Sequence, residues 1–400
     1  MSSSLLPPVK GVRLASVPAR IKDWQRDDLL LIEISKEASV SATFTQNSFC
    51  AAPVVVAKEH ISKGNVRALL INAGNANAAT GSRGLSDAQA CCEAVARAIN
   101  MRAEQVLPFS TGVIGEHLPL QRLLDAIPRA AEQLSDSGWD GAAKAIMTTD
   151  THPKTASRTL EIGGEEITVV GIAKGSGMIQ PNMATMLAYV ATDAHVAQPL
   201  LDKMVKEAVN ASFNRVSVDG DTSTNDACVL IATGATGSQI ENSEDRAYSA
   251  LMGAITQLHI ELAKAVVKDG EGATKFVIVQ VEGAASSAEA LRVAFEVGES
   301  PLVKTALYAS DPNWGRLVMA IGNAIPESLD TTKVNIYLDQ VQVVEAGGRS
   351  VNYLEEQGEQ VFSKPEFTIR IELGRGNCSE HVWTCDFSHE YVTINAEYRT

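Results

Sequence analysis

Strand-like and helix-like segments alternate along all 400 residues, and no repeat, low-complexity tract or polar linker separates them. Apolar runs such as RALLINAG (67–74) indicate buried strands, whereas apolar residues spaced three and four apart indicate helices. This interleaving predicts a mixed α/β protein in which layered sheets are covered by helices. The chain is long enough for one or two domains with a large core.

The predicted elements follow from apolar spacing and from residues that begin or end helices. Ser86, with Gln89 three positions later, forms a capping box and predicts a helix that begins there. The other predicted helices lie near Pro119, from Pro199 and over 243–267, and the predicted strands are 67–74, 166–173, 186–191, 275–281 and most of the chain beyond residue 330. The segment KGSGMIQPN (174–182) contains two glycines and a proline, which predicts a surface loop and the best seam in the chain.

The charge balance restricts the class of partner. Lysine and arginine total 34 and aspartate and glutamate total 48, so the formal net charge is −14. This excess argues against nucleic acid or an anionic membrane as the main partner. The first residues, MSSSLLPPVKG, show no signal-peptide pattern, and no apolar run approaches the roughly 18 residues of a membrane span. A cytoplasmic location is therefore expected.

The six cysteines are sparse for a chain of this length, which predicts reduced thiols and no disulfide framework. Cys378, His381, Cys385 and His389 lie close together in the sequence with spacings compatible with zinc. The same segment alternates apolar and polar residues as a strand does, and on a strand Cys378 and His381 point to opposite faces. A structural strand is favoured over a metal site.

Short segments rich in glycine, threonine and asparagine recur within apolar surroundings. They are NAGNANAATG (72–81), STGVIG (110–115), MTTDT (147–151), KGSGMIQPNMATML (174–187), SVDGDTSTND (217–226), KDGEGATK (268–275) and SDPNWGR (310–316). Each alone is typical of a turn, but their number favours backbone N–H groups that approach a carboxylate or an oxyanion. Neither the phosphate-loop spacing nor a dinucleotide fingerprint after a strand is present.

The apolar run that ends in VDGD leaves a different class of enzyme open. It resembles the nucleophile loop of magnesium-dependent phosphatases, in which Asp219 would be the nucleophile. Lys268, Asp269 and Glu271 are a loose match for the remaining motif.

KGSGMIQPNMATML (174–187) resembles the self-cleavage segment of the ornithine acetyltransferase family, the bifunctional glutamate N-acetyltransferase/amino-acid acetyltransferase family of arginine biosynthesis. STGVIG, MTTDT, SFNRVSVDGDTSTND, VKDGEGATK, SDPNWGR and EYVTINAEYRT resemble further signatures of this family and occur in the same order. The resemblance covers essentially the whole chain. It implies sheets and helices layered as in N-terminal-nucleophile enzymes.

The resemblance also implies that the chain cuts itself between Ala184 and Thr185. The products would be an α chain of residues 1–184 and a β chain of residues 185–400. A threonine hydroxyl is a poor nucleophile at neutral pH unless a base lies beside it. Cleavage would free the α-amine of Thr185, and its reference pKa of about 7.7 to 8.0 suits a general base. Thr185 would then supply both the nucleophile and the base.

By the same resemblance the reaction is a two-step acetyl transfer. N2-acetyl-L-ornithine would acetylate Thr185 and leave as ornithine, and L-glutamate would then accept the acetyl group. Thr111 and Gly112 match the oxyanion hole of the family. The family's substrate-contact positions match Thr148, Lys174, Thr185, Glu271, Asn395 and Thr400, with Thr149 and Thr151 as alternatives to Thr148. Lys174 is the expected counter-charge for a carboxylate and Glu271 for an ammonium group.

The family implies an α2β2 assembly and no metal or organic cofactor, because the acetyl group travels on the protein. Acetyl-CoA is a second donor for some members, and the quoted motifs do not distinguish these from the rest. Two further functions stay open beside the phosphatase. A related self-cleaving aminopeptidase would share Thr185, and a non-enzymatic binding protein would keep the Ala184–Thr185 bond intact.

Overall fold

The computed structural model describes residues 6–180, 186–325 and 329–397. The described strands are β1 Val12–Val17, β2 Leu29–Ile34, β3 Ser39–Phe44, β4 Ala68–Asn75, β5 Val106–Val113, β6 Lys154–Ile162, β7 Glu165–Lys174, β8 Leu187–Val196, β9 Val216–Ser217, β10 Ala227–Ile240, β11 Phe276–Ala284, β12 Asn335–Leu338, β13 Val341–Glu345, β14 Gly348–Arg349, β15 Glu366–Glu372 and β16 Cys378–Cys385. The described helices are α1 Ala52–Ser62, α2 Gly81–Ala98, α3 Leu120–Glu132, α4 Trp139–Ala145, α5 Gln198–Asn210, α6 Arg246–Lys268, α7 Ser287–Glu299, α8 Pro301–Ala309, α9 Trp314–Ala324, α10 Glu355–Phe362 and α11 His389–Glu397.

The chain forms two compact units. Unit 1 contains the described residues of 1–178, 182–214 and 221–266, and unit 2 contains those of 179–181, 215–220 and 267–400. Each unit draws on residues from both sides of position 184. The predicted division into 1–184 and 185–400 concerns a chemical bond and not a packing boundary, so it stays a prediction.

Two sheets face each other in unit 1. The first has the strand order β1-β2-β4-β5, and the second has the order β3-β10-β8-β7-β6. Alternate residues of both sheets point into the space between them, as the pleat of a strand requires. This core contains Leu30, Ile32, Leu69 and Ile71 from the first sheet and Val170, Ile172, Tyr189, Val229 and Ile231 from the second.

Helices cover the outer faces of both sheets in unit 1. The other side of the first sheet, including Leu29, Leu31 and Leu70, packs with apolar residues of α2 and α3. On the second sheet, a Cβ placed on Gly171 would meet the side chain of Leu258 of α6 at 2.6 Å. Glycine therefore allows α6 to pack close to β7. Helix, sheet, sheet and helix form successive layers, which confirms the predicted layered α/β class.

Unit 2 is built on one seven-stranded sheet with the order β14-β13-β12-β15-β11-β16-β9. β11 pairs parallel to β15 and antiparallel to β16. Its buried core joins alternate residues of β11, β12 and β15 to apolar residues of α7, α8, α9 and α10. The strand predicted at 275–281 is confirmed as β11.

Among the described helices, α6 is long and apolar enough to cross a membrane by length and composition. It is also the long helix predicted at 243–267. Its residues Leu251, Ile255, Leu258 and Leu262 are fully buried. Burial of this side in unit 1 accounts for the apolar character of the helix.

Two predicted boundaries are wrong. The helix predicted to begin at Ser86 begins at Gly81, and the Ser86 hydroxyl instead donates to the Ser82 carbonyl within the helix. Gly84 lowers the predicted helix propensity of this segment. Glycine is nevertheless required there, because a Cβ on Gly84 would lie 1.9 Å from the Thr80 hydroxyl oxygen. Beyond residue 387 the predicted strand is a helix, α11, because the Ser388 hydroxyl accepts the Tyr391 N–H at 3.3 Å and caps its first turn.

The segment predicted as a surface loop is largely buried in its described part. Gly175, Ser176 and Ile179 are buried, and Met178 is exposed. Composition alone misses this, because small residues suit a tightly packed turn as well as an exposed one.

The strand predicted around Cys378 is confirmed as β16. All six cysteines are free thiols. Cys378 begins β16 and Cys385 ends it, so Cys378 and His381 lie on opposite faces of one strand. Within residues 6–180, 186–325 and 329–397, no group of three or more histidine, cysteine, aspartate or glutamate residues could hold a metal ion.

Candidate active site

The predicted oxyanion residues Thr111 and Gly112 lie in β5, where its pairing with β4 becomes irregular. Asn75 is registered with both Thr111 and Val113. Gly112 has φ of +134°, and a Cβ on it would lie 2.3 Å from the Gly74 carbonyl carbon. Only glycine allows the two backbones to approach this closely. A bulged strand end of this kind re-aims peptide groups away from the ladder, as an oxyanion donor requires.

Buried polar side chains hold this strand end in place. The Asn225 amide donates to the carbonyls of Ala76 at 2.7 Å and Ser110 at 2.9 Å. The Ser110 hydroxyl donates to the Asn72 side chain at 2.5 Å. Asn225 is 6% exposed and comes from the segment SVDGDTSTND, where sequence reasoning singled out Asp219 instead. No local sequence signal distinguishes this buried asparagine from one in an exposed turn.

Lys174 is the last residue of β7 and is 4% exposed. It is registered with Leu187, the first residue of β8. The predicted nucleophile Thr185 and its neighbour Ala184 lie outside the described residues. Chain connectivity nevertheless places Thr185 directly before Met186, whose carbonyl accepts the Ala227 N–H at 3.1 Å. The predicted counter-charge Lys174 is therefore paired with a residue that follows Thr185 by two positions in the sequence.

Asp150 organises the segment that contains Thr148. Its carboxylate accepts the Lys154 ammonium at 2.6 Å, the Gly175 N–H at 2.7 Å and the Thr148 N–H at 2.9 Å. Burial by itself would raise the pKa of Asp150, but Lys174, Lys154 and the hydrogen bonds lower it to about 2. Thr148 and Lys174 are thus held around one buried carboxylate. Asp150 and Lys154 were not predicted, although Asp150 lies within the quoted segment MTTDT.

We expect Asp150→Asn to lower the free energy of unfolding at pH 7 by at least about 2 kcal/mol. A carboxylate with a lowered pKa contributes stability above its unfolded-state value of 3.8 and loses it as the pH falls towards about 2. The difference between wild type and variant should therefore shrink between pH 4 and pH 2. Urea unfolding at several pH values measures it. Glu59→Gln, which removes an exposed ion pair with Lys63, is the control and should change stability far less.

Asp226 is a second buried carboxyl, and it lies beside the start of β8. It precedes Ala227, which is registered with Leu187 in the parallel pairing of β10 and β8. It is 1% exposed, and burial raises its pKa well above the usual range, opposed by Lys174, the Met186 N–H and the Ser223 hydroxyl. Lys174 therefore acts electrostatically on two buried carboxyl groups, those of Asp150 and Asp226.

Glu271 and Asn395 lie together in unit 2. Glu271 is 7% exposed, and its carboxylate accepts the Asn395 amide at 2.8 Å. Gly272 has φ of +68°, and a Cβ there would lie 2.5 Å from the Ser388 hydroxyl oxygen, so glycine is required beside α11. Asn395 lies on α11, and Thr400 lies outside the described residues. The predicted ordering of the C-terminal tail over a substrate stays a prediction.

Asp219 has a structural role in unit 2. Its carboxylate accepts the Ile179 N–H at 2.7 Å and the Tyr391 hydroxyl at 3.3 Å. Lys268, required by the phosphatase interpretation, instead donates to Glu366 at 2.8 Å and lies over the Phe276 ring. The phosphatase motif is not assembled by these residues.

Comparison with known proteins identifies relatives along the whole chain. Residues 13–400 match the model of the ArgJ family. The arginine biosynthesis bifunctional protein ArgJ of Methylococcus capsulatus is 54% identical over 400 residues, which is all of this chain and 98% of that protein. Among solved structures, the ArgJ protein of Bacillus halodurans is 34% identical with a TM-score of 0.48, over 51% of this chain and 95% of that one. Ornithine acetyltransferase of Mycobacterium tuberculosis, solved with ornithine, is 32% identical with a TM-score of 0.39, over 46% and 97%.

Proposed function

This chain belongs to the ArgJ family, an acetyltransferase family of arginine biosynthesis, and we propose that it transfers an acetyl group from N2-acetyl-L-ornithine to L-glutamate through an acetyl ester on Thr185. The observation that carries the proposal is the family match over residues 13–400, which includes every quoted signature. The bulged Thr111–Gly112 peptide and the buried lysines near the start of β8 support it.

The proposed reaction begins with self-cleavage. The Thr185 hydroxyl attacks the Ala184 carbonyl carbon, the peptide C–N bond breaks, and the resulting ester is hydrolysed by water. The freed α-amine then takes the proton of the Thr185 hydroxyl while that oxygen attacks the acetyl carbonyl of acetylornithine. Ornithine leaves as the amine with that proton. The amine of glutamate attacks the acetyl-threonine ester and regenerates the hydroxyl.

The candidate residues have complementary proposed roles. Thr111 and Gly112 stabilise the oxyanion of each tetrahedral intermediate, typically by about 2.7 to 4 kcal/mol per donor. Lys174, a buried cation at the end of β7, pairs with a substrate carboxylate. Thr148, Asn395 and Thr400 complete the proposed substrate contacts, while Glu271 pairs with the side-chain ammonium of acetylornithine.

We expect Glu271→Gln to raise KM for N2-acetyl-L-ornithine by about 10- to 100-fold and to change kcat less. Glutamine can still accept the Asn395 amide, which now lies 2.8 Å from the carboxylate, so the variant removes charge with little change in shape. Steady-state kinetics with varied acetylornithine measures the effect. Glu366→Gln, which removes the exposed pair with Lys268, is the control and should leave KM unchanged. An unchanged KM in Glu271→Gln would contradict the assigned contact.

A denaturing gel and a coupled activity assay test the proposal. Purified protein should give bands of roughly 20 and 23 kDa, in proportion to residues 1–184 and 185–400 of a 42.5 kDa chain. In the native state these chains should remain together as an α2β2 assembly. A single full-length band with full activity would overturn the mechanism, and release of amino acids from peptides without acetylornithine turnover would identify an aminopeptidase.

The second donor is tested separately. Glutamate acetylation with acetyl-CoA as the sole donor distinguishes an enzyme with two donors from one restricted to acetylornithine. The proposed location is the cytoplasm, which the free state of all six cysteines supports.

A further inference from the structure

The segment 18–28, between β1 and β2, is a polar loop that no step of the proposed reaction uses. Asp28 is fully buried, and its carboxylate accepts three backbone N–H groups of the loop, those of Ala19 at 2.6 Å, Arg20 at 3.1 Å and Ile21 at 2.7 Å. Arg20 has φ of +59°, a left-handed conformation that is strained for a residue other than glycine. The buried carboxylate holds the loop in this conformation.

One side of the 18–28 loop packs against the strand end that contains the oxyanion residues. A Cβ placed on Gly74 of β4 would lie 3.1 Å from the Lys22 Cγ and 3.2 Å from the Ile21 Cγ2. The carbonyl carbon of Gly74 is in turn the atom that a Cβ placed on Gly112 would meet first, at 2.3 Å. The loop therefore lies against β4 at the position where β4 approaches the Gly112 peptide.

Arg26 extends from the same loop to the segment that contains Thr148. Its Nη1 donates to the Lys144 carbonyl at 2.9 Å, and its Nη2 donates to the Met147 carbonyl at 2.5 Å. Lys144 lies in the last turn of α4, where positively charged side chains can bond the final carbonyls. The guanidinium thus joins the end of α4 to the peptide that links Met147 and Thr148.

The Met147–Thr148 peptide is held at both of its polar atoms. Arg26 donates to the carbonyl, and the Thr148 N–H donates to the Asp150 carboxylate at 2.9 Å. Because a peptide group is planar, hydrogen bonds on both of its edges leave the plane little freedom to rotate. The direction of the Thr148 side chain therefore depends on Arg26 as well as on Asp150.

The Arg26 side chain is itself held in place. Its guanidinium carbon lies 4.1 Å from the centroid of the Trp24 ring, a cation–π contact within the loop. Burial lowers the pKa of Arg26, and the charges of Asp28 and Asp150 oppose this effect. Arginine is not deprotonated in proteins, so the guanidinium keeps all its donors. A lysine ammonium cannot reproduce the planar fork that spans two carbonyls.

We propose that Arg26 is a positioning residue of the active site, which sets the Thr148 side chain for contact with the substrate. The inference rests on the proposed function, in which Thr148 binds substrate. Arg26 acts through the Met147 carbonyl and requires no contact of its own with the reacting atoms. Since the same loop packs against Gly74, it also ties the Thr148 segment to the strand end that contains Gly112.

Steady-state kinetics with varied N2-acetyl-L-ornithine tests this role. We expect Arg26→Gln to raise KM about tenfold and to lower kcat by less than about threefold, because a substrate contact is misplaced while the nucleophile and the oxyanion donors remain. Arg129→Gln is the matched control. The Arg129 guanidinium also donates to a backbone carbonyl of this loop, that of Pro18 at 2.7 Å, but at the opposite end. It should leave KM unchanged.

A double-mutant cycle separates positioning from general support of the fold. Thr148→Val removes the hydroxyl and should itself raise KM. In the Thr148→Val background, Arg26→Gln should raise KM by less than about twofold, because the contact through which Arg26 acts is already lost. Independent effects that multiply in the double variant would assign Arg26 to support of the fold and overturn the inference.

Arg26→Lys provides a milder variant in case Arg26→Gln does not fold. It keeps the charge and one donor, so KM should rise by about threefold, and the same cycle with Thr148→Val applies. A wild-type KM in every folded Arg26 variant, beside a raised KM in Thr148→Val, would overturn the inference alone. A wild-type KM in Thr148→Val would overturn both the inference and the substrate contact of the proposed function. Absence of acetylornithine turnover by wild type would show that the proposed function has failed, and the inference with it.

Discussion

Thr185→Ala should remain a single chain of about 42.5 kDa on a denaturing gel and should lose acetyl transfer by at least about 10³-fold. The substitution removes the hydroxyl that would attack the Ala184 carbonyl, so neither the ester nor the free amine can form. It also removes the oxygen that would carry the acetyl group. Both losses have one cause, and they should appear together in the gel and in an assay of ornithine release.

Thr185→Ser is the matched control, because serine keeps a hydroxyl at the same position. We expect it to be cut and to retain measurable transfer. If Thr185→Ala were cut normally, or if it transferred acetyl groups at the wild-type rate, the nucleophile would be another residue. Mass spectrometry of wild type mixed with acetylornithine alone should show one added acetyl group on the β chain.

The second large effect is expected for Gly112→Ala. The added Cβ would lie 2.3 Å from the Gly74 carbonyl carbon and 2.5 Å from the Asn75 nitrogen, and both are backbone atoms that cannot rotate away. Alanine is also strained at φ of +134°. Relief of the clash requires β4 and β5 to separate where the oxyanion peptide lies. We expect kcat to fall by about 10²- to 10³-fold and the free energy of unfolding to fall by about 2 to 5 kcal/mol.

Gly253→Ala is a glycine control in the same unit. Gly253 lies within α6, and a Cβ there would meet nothing within 4 Å. Alanine should leave kcat unchanged and raise the free energy of unfolding by up to about 1 kcal/mol, since it restricts the unfolded chain and favours the helix. Wild-type activity in Gly112→Ala would show that the Thr111–Gly112 peptide does not face the reacting carbonyl. Thermal unfolding and steady-state kinetics of both variants decide between these outcomes.

Elements with a strong local pattern were predictable. The buried strand at 67–74, the strand at 166–173 and the long helix at 243–267 correspond to β4, β7 and α6. Each carries its own signal, either a continuous apolar run or apolar residues at helical spacing. The start of α2 and the helix α11 were missed, because glycines in one and apolar–polar alternation in the other obscure the helical spacing.

The supporting polar residues could not be found by the same means. Asp150, Asn225 and Asp226 occur in segments that read as turns, and nothing local separates a turn aspartate from a buried one. Their environment depends on strands that are distant in the chain. The Gly175 N–H reaches Asp150 because β7 ends there, and Asp226 flanks β8 because β10 pairs with it in parallel.

The amino-acid pattern alone was sufficient to predict the α/β class, most of the longer elements and the family. Each of these depends on residues that are close in sequence or on signatures in a set order. Folding alone determined which charges share one buried site. Lys174 and Asp226 lie on opposite sides of the start of β8 through backbone pairing. The pairing of strands that are distant in the chain is a long-range property, because it is the burial of side chains on both faces of the second sheet that selects one register among them.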